Sequence, residues 1–253
     1  MRIEIISCLK DNYSYLIIDD SNNSACVVDP SESKPIINFL ENKNIELRYI
    51  LNTHHHYDHI GGNKDLKKKY GSEVIGFKAD SDRIPEIDIL LEDNQIWKAE
   101  NFEAKIMHIP GHTSGHICFH FFKEKLIFTG DTLFSLGCGR IFEGSYKEMF
   151  ESLNKIKALP KETKIYCGHE YTKKNLDFCL KYDSKNILLK KKATLINSFL
   201  RNKKPTIPTI LSEELKTNIF LRCNDEALKR ELDYNNLSDH EIFTKLRELK
   251  DSF

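Results

Sequence analysis

Short apolar runs separated by turn residues fill the first two thirds of the chain, a pattern that suits strands. Residues 3–6, 13–18 and 25–28 are the first three such runs, and Asn22-Asn23 predicts a hairpin between the second and third. Helical spacing follows at 35–42, 62–70 and 146–159, with a strand-like run at 49–51. Beyond Tyr171 the texture changes. Apolar residues recur at helical intervals from 175 to 201, and 239–249 repeats that pattern behind a Ser238-x-x-Glu241 capping box. Pro205 and Pro208 interrupt the helical run, because proline removes a backbone donor and disfavours helix in the residue before it. The expectation is an α/β (α+β) chain: a strand-rich domain over 1–170 and a small helical one over 171–253.

Composition narrows the function without naming it. A chain of 253 residues can bury about 70–75% of its unfolded surface, so one large domain or two unequal ones need no disulfide staples. Lys+Arg and Asp+Glu both number 38, which leaves no global field for a phosphate backbone or anionic lipid. Neither nucleic acid nor membrane is an expected partner, and a monomer is expected. The opening Met-Arg-Ile-Glu-Ile-Ile-Ser-Cys carries charge inside its apolar run and leads into no stretch long enough for a signal peptide or membrane span, so a cytoplasmic protein is expected. The 7 cysteines are odd in number and show no C-x-x-C pairing, which suits small buried hydrophobes in a reducing compartment.

The chemistry is concentrated in Thr53-His54-His55-His56-Tyr57-Asp58-His59-Ile60-Gly61-Gly62. Imidazole and carboxylate are ligands for zinc and neighbouring transition metals, and residues two apart in extended chain point the same way, so His54 and His56 can share one ion. Asp58 and His59, displaced as the chain turns into the Gly61-Gly62 helix start, can serve a second. His112, Asp131 and His169 each lie just beyond an apolar run, where loops at a sheet edge assemble sites. Seven ligands make two sites: His54, His56 and His112 on one ion, Asp58, His59 and His169 on the other, with Asp131 bridging. A closed structural zinc would need only four ligands, usually with Cys among them, so the surplus points to a catalytic pair. The isolated His108, His120 and His240 read as surface or core residues.

Four motifs carry a family resemblance: Thr53 to His59, Gly111-His112-Thr113-Ser114-Gly115-His116, Thr129-Gly130-Asp131-Thr132-Leu133-Phe134 and Cys167-Gly168-His169-Glu170-Tyr171. They resemble the metallo-β-lactamase superfamily and, more narrowly, glyoxalase II, hydroxyacylglutathione hydrolase. The tail segments 216–222 and 245–251 are similar to that enzyme as well. The resemblance implies an αββα sandwich with a C-terminal helical domain that helps hold glutathione. It further implies two divalent ions, zinc or else iron or manganese, and hydrolysis of S-D-lactoylglutathione to D-lactate and glutathione in methylglyoxal detoxification. Asp58 and Asp131 then serve catalysis as metal ligands. Tyr171, Asn175, Arg140, Arg247 and Lys250 would surround the glutathione thioester. Arg247 and Lys250 lie three apart on one helical face, which is also what a solvated basic face looks like. Arg140 and Phe142 stand where some members carry Lys and Tyr, so a planar fork replaces an ammonium and one hydroxyl is missing. Asp29 is expected to orient a ligand or water, although Ser31 replaces a glycine common in the family.

Two ions lower the pKa of a shared water, so hydroxide is expected to attack the thioester without a protein base. Cys138 and Cys167 are not expected to act as nucleophiles. The alternatives are a lactonase or other hydrolase of the same fold, a single-iron persulfide dioxygenase, and a metal-stabilised binding module without catalysis.

Overall fold

A computed structural model describes all residues 1–253. The chain forms two compact units, Met1–His108 with Gly115–Gly130, and Ile109–Ser114 with Asp131–Phe253.

In the first unit, β1 (Arg2–Cys8), β2 (Asn12–Asp19), β3 (Ser24–Val28), β4 (Glu46–Leu51), β5 (Glu73–Phe77) and β6 (Ile87–Leu91) lie in that order across one sheet. β1 to β3 pair antiparallel and β3 to β6 parallel. Parallel neighbours need crossovers, supplied by α1 (Ser33–Lys43) before β4, and by α2 (Tyr57–Ile60) with α3 (Asn63–Tyr70) before β5. α1 stops where Asn44 turns left-handed at φ 52°, a conformation asparagine tolerates. β7 (Ile96–Ala99), β8 (Phe102–His108), β9 (Ile117–Phe121) and β10 (Leu126–Gly130) form an antiparallel meander.

These strands face the first sheet. Tyr15 packs on Phe128 with ring centroids 5.4 Å apart, and Tyr49 lies edge-on to Trp97 at 5.4 Å. On the sheet's other face Leu16, Ile18, Val27, Leu47 and Ile50 meet Ile36 and Leu40 of α1 and Leu66 of α3. β2 is therefore covered on both faces and buried along its whole length.

The second unit holds β11 (Leu133–Phe134), β12 (Gly137–Cys138), α4 (Tyr146–Lys157), β13 (Lys164–Cys167), α5 (Thr172–Tyr182), α6 (Ile187–Arg201), β14 (Thr209–Ile210), α7 (Leu211–Thr217), α8 (Glu226–Leu232) and α9 (Asp239–Asp251). Ser145 opens α4 and Ser238 opens α9 with reciprocal capping boxes to Glu148 and Glu241. α9 buries Ile242, Phe243 and Leu246, with Phe243 against Phe150 of α4 and Phe220. The units divide at Asp131, and residue texture changes near Tyr171.

The helical run expected over 175–201 is two helices. Asp183 turns inward to pair with Arg222, and Asn186 caps α6 by accepting from Leu189 N at 3.1 Å. Apolar periodicity continues across this interruption because side-chain capping, rather than Pro or Gly, makes the break. The expected break near Pro205 and Pro208 is present, and the Ile207–Pro208 peptide is cis. No helix is long and apolar enough to cross a membrane.

Candidate metal centre

Asp29 organises the first half of the ligand set. It follows β3 in a left-handed conformation, φ 48°, and its amide donates to Leu51 O at the end of β4. Its buried carboxylate accepts from Thr53 N at 2.8 Å, Thr53 Oγ1 at 2.7 Å and His59 Nδ1 at 3.0 Å. An ionised carboxylate only accepts, so the His59 proton sits on Nδ1 and the lone pair on Nε2. Thr53 Oγ1 commits its one proton to Asp29 and must accept from His54 Nδ1, 3.0 Å away. His54 therefore also presents Nε2, the arrangement of a metal-ligating imidazole with an oriented outer partner.

His54 Nε2 and His56 Nδ1 converge to 3.1 Å, which suits two donors each about 2.0–2.1 Å from one zinc-sized ion. Ligand atoms of Asp29, His54 and His59 also lie within 4.8 Å of one another. Asp58 sits on α2, where Asn12 Nδ2 donates to its Oδ2 and its backbone oxygen, both at 3.0 Å. His55 turns away from this group to Asp80 Oδ2 at 3.2 Å, beside Arg83. Gly130 approaches this cluster at φ +46°, and a Cβ there would meet Thr53 Oγ1 at 2.4 Å, so only glycine fits.

The second unit carries the other donors. Asp131 directly follows β10, and His169 lies two residues past β13. Asp131 Oδ2 is 3.2 Å from His169 Nε2 and 3.5 Å from His112 Nε2. Arg140 O lies 2.8 Å from His112 Nδ1. A carbonyl can only accept, so His112 is a third imidazole held with its proton on Nδ1. The donor set, imidazole nitrogen and carboxylate oxygen with fixed tautomers, fits zinc, iron or manganese.

The expected substrate residues divide by burial. Arg140 is exposed, and Tyr171 stacks on His169 with centroids 4.6 Å apart and planes within 4°. Lys250 is partly buried over Phe178, donates to Lys174 O at 3.0 Å, and is brought down to about 8 by desolvation and then by the Arg247 charge. Asn175 and Arg247 are buried and turned inward: Asn175 Nδ2 donates to Ser135 O at 3.0 Å, and Arg247 Nη1 to Cys138 O at 2.8 Å. Phe142, 60% exposed, sets its ring edge-on to His112 at 5.1 Å. Burial raises the thiols of Cys138 and Cys167 above the usual range, which argues against either as a nucleophile.

Residues the sequence did not single out are those acting from behind the candidate ligands: Asn12, Thr53 as a hydrogen-bond link from His54 to Asp29, and His116, which stacks on His54 at 4.6 Å; Asp80 instead holds His55. Asn12 and Asp80 are distant in sequence from what they hold, and no local pattern marks them. His108 stacks on Phe77 and His240 packs on Phe150, while burial lowers the pKa of His120.

Comparison with known proteins gives the chain's family. Residues 10–169 match the metallo-beta-lactamase superfamily and residues 170–253 the hydroxyacylglutathione hydrolase C-terminus. The hydroxyacylglutathione hydrolase of Pelagibacter ubique is 62% identical over 253 residues, covering 100% of both chains. That of Methylococcus capsulatus is 41% identical over 100% of this chain and 99% of its own. Among solved structures, ETHE1 from Myxococcus xanthus superposes with a TM-score of 0.70 at 20% identity, over 98% of this chain and 90% of that one, and so shares the fold. The chain belongs to the hydroxyacylglutathione hydrolases, the glyoxalase II enzymes of the metallo-β-lactamase superfamily.

Proposed function

We propose that this thioester hydrolase converts S-D-lactoylglutathione to D-lactate and glutathione at a binuclear centre. His54, His56 and His112 would hold one ion, Asp58, His59 and His169 the other, and Asp131 both. The observation that carries this reading is the shared tautomer of His54, His59 and His112, each with Nδ1 turned to an acceptor and Nε2 left for a metal. Zinc is the ion we assign, with iron and manganese as alternatives for the same N/O donors.

When bound, the ions supply hydroxide at neutral pH and polarise the thioester carbonyl. The chain's own part is to orient and bind. Asp29 and Thr53 keep His54 and His59 in the ligating tautomer, and Asn12 holds Asp58. Arg140, Tyr171 and Lys250 would meet the glutathione moiety, with Asn175 and Arg247 supporting that set from behind. A thiol with pKa near 8.5 leaves as thiolate readily, so no strong general acid is needed.

In this reading residues 1–170 carry the catalytic donors and 171–253 the glutathione contacts, a division supported by the junction of the two family matches at 169/170. The second match also disfavours a lactonase. Seven free, buried cysteines support a cytoplasmic enzyme, which we take to be a monomer.

The test is to incubate the protein with S-D-lactoylglutathione and with matched lactones, following free thiol and counting metals per chain. Thiol release with two metals bound is expected. Turnover of lactones alone would overturn the substrate assignment, and a single bound metal the binuclear one.

A further inference from the structure

Between Asp131 and Arg140 the chain folds into a minimal hairpin. Leu133 pairs with Cys138 and Phe134 with Gly137, and Gly139 N donates to Thr132 O at 3.1 Å. One end of the hairpin carries Asp131, and the other carries the Arg140 carbonyl that fixes His112. The two ends approach so closely that a Cβ on Gly139 would lie 1.9 Å from Asp131 O. Any change in the hairpin is therefore passed to both donors.

The hairpin tip is Ser135-Leu136, and Leu136 is fully buried at φ 59°. The left-handed region favours glycine there, since a β-carbon crowds the following carbonyl. Leucine holds it because the helices grip the tip. Leu136 N donates to Glu214 Oε2 at 2.8 Å, and Cys179 Sγ donates to Leu136 O at 3.2 Å. Asn218 Nδ2 bridges Phe134 O, Gly137 O and Glu214 Oε2 at 3.2, 3.1 and 3.0 Å.

Glu214 is the centre of this arrangement. It has no exposed surface, and its other oxygen accepts from Lys192 Nζ at 2.7 Å and Thr209 Oγ1 at 2.6 Å. A buried carboxylate is tolerated only when fully paired. Here its partners come from α6, β14 and the hairpin tip, so it joins three separate segments at one point.

We propose that Glu214 is a positioning residue for the metal centre: by holding the strained tip at Leu136, it fixes the hairpin that sets Asp131 and His112. The inference rests on Asp131 and His112 being metal ligands. Strain concentrated beside a site and sustained by surrounding structure is the expected form of such a device.

The test compares Glu214→Gln with Leu189→Ala, a core truncation in α6 that serves as a control for general destabilisation. Both are loaded with zinc, and metal release to excess chelator is timed. Glu214→Gln is expected to release metal at least ten-fold faster than wild type, and faster than Leu189→Ala at a similar loss of Tm. Release no faster than the control overturns the proposal.

If Glu214→Gln does not fold, amide exchange in metal-stripped wild type decides. Leu136 and Gly139 amides that stay protected support the proposal, and amides that are protected only when metal is added overturn it, because the ions would then order the hairpin. Wild-type protein that binds no metal overturns the ligand assignment and this inference with it. Two metals in wild type with unaltered retention in Glu214→Gln overturns this inference alone.

Discussion

Replacing Asp29 by Asn separates the tautomer-fixing role from backbone support. Asn is nearly the same size and tolerates the left-handed φ of 48°, so backbone strain does not confound the result. The carboxylate accepts three hydrogen bonds, two from Thr53 and one from His59. With the amide oxygen on Thr53 N, the amide nitrogen faces Thr53 Oγ1 and His59 Nδ1 as a donor. His59 is then driven to protonate Nε2, the wrong nitrogen for a ligand. One buried donor left unpaired costs about 1–3 kcal/mol. At about 2–4 °C per kcal/mol for a chain of this size, the metal-free Tm should fall by about 2–12 °C. Loss of an outer partner typically weakens metal binding about 10–100-fold, and chelator competition with zinc measures this against wild type. A variant that melts lower yet binds zinc with wild-type affinity would refute the tautomer argument and reduce Asp29 to a clamp between strands.

Other substitutions separate binding, metal and fold. Asp131→Ala should lose metal together with turnover, dropping below one ion per chain by elemental analysis and at least about 100-fold in rate; two retained metals would remove Asp131 from the centre. Lys250 has a pKa of about 8 instead of the usual 10.5, because it is desolvated beside Arg247. Its charge is lost as pH rises through that value, so KM for the anionic thioester should climb above pH 8. Lys250→Met should raise KM roughly ten-fold with little change in kcat, as for one charge-assisted hydrogen bond, and should remove that pH dependence. The same lowered pKa means that the folded state binds fewer protons between about 8 and 10.5. The cost of burying the ammonium is thus full below 8 and fades as pH approaches 10.5, so Lys250→Met should raise Tm at pH 7 and not at pH 10.5. Arg222→Leu strips the buried Asp183 of its charged partner, leaving only the Asn186 amide on that carboxylate, and should lower stability in denaturant titrations by about 3–5 kcal/mol while leaving metal content unchanged.

The ligand motif was legible because its chemistry is local. Four donors in six residues, His54 to His59, have few structural explanations, and the strand before them and the turn within them follow from short-range pattern. The first three strands were legible as short apolar runs, β2 and β3 being buried along their whole length, and α1, α3, α4 and α9 because a helix covered on one side repeats its apolar residues at its own period. The interruption between α5 and α6 was not, because Asp183 and Asn186 break the helix through side-chain partners, one of them Arg222 on a distant segment.

The sequence by itself determined which residues can ligate metal and which family the chain resembles, since residue type and spacing carry that information. Only the tertiary structure decided which nitrogen each histidine presents, because the acceptors responsible, Asp29 for His59 and the Arg140 carbonyl for His112, are 30 and 28 residues away. It also turned Asn175 and Arg247 inward onto the hairpin and made Glu214 its anchor. Those roles depend on burial, which gives a hydrogen bond its consequence by excluding the water that would replace it.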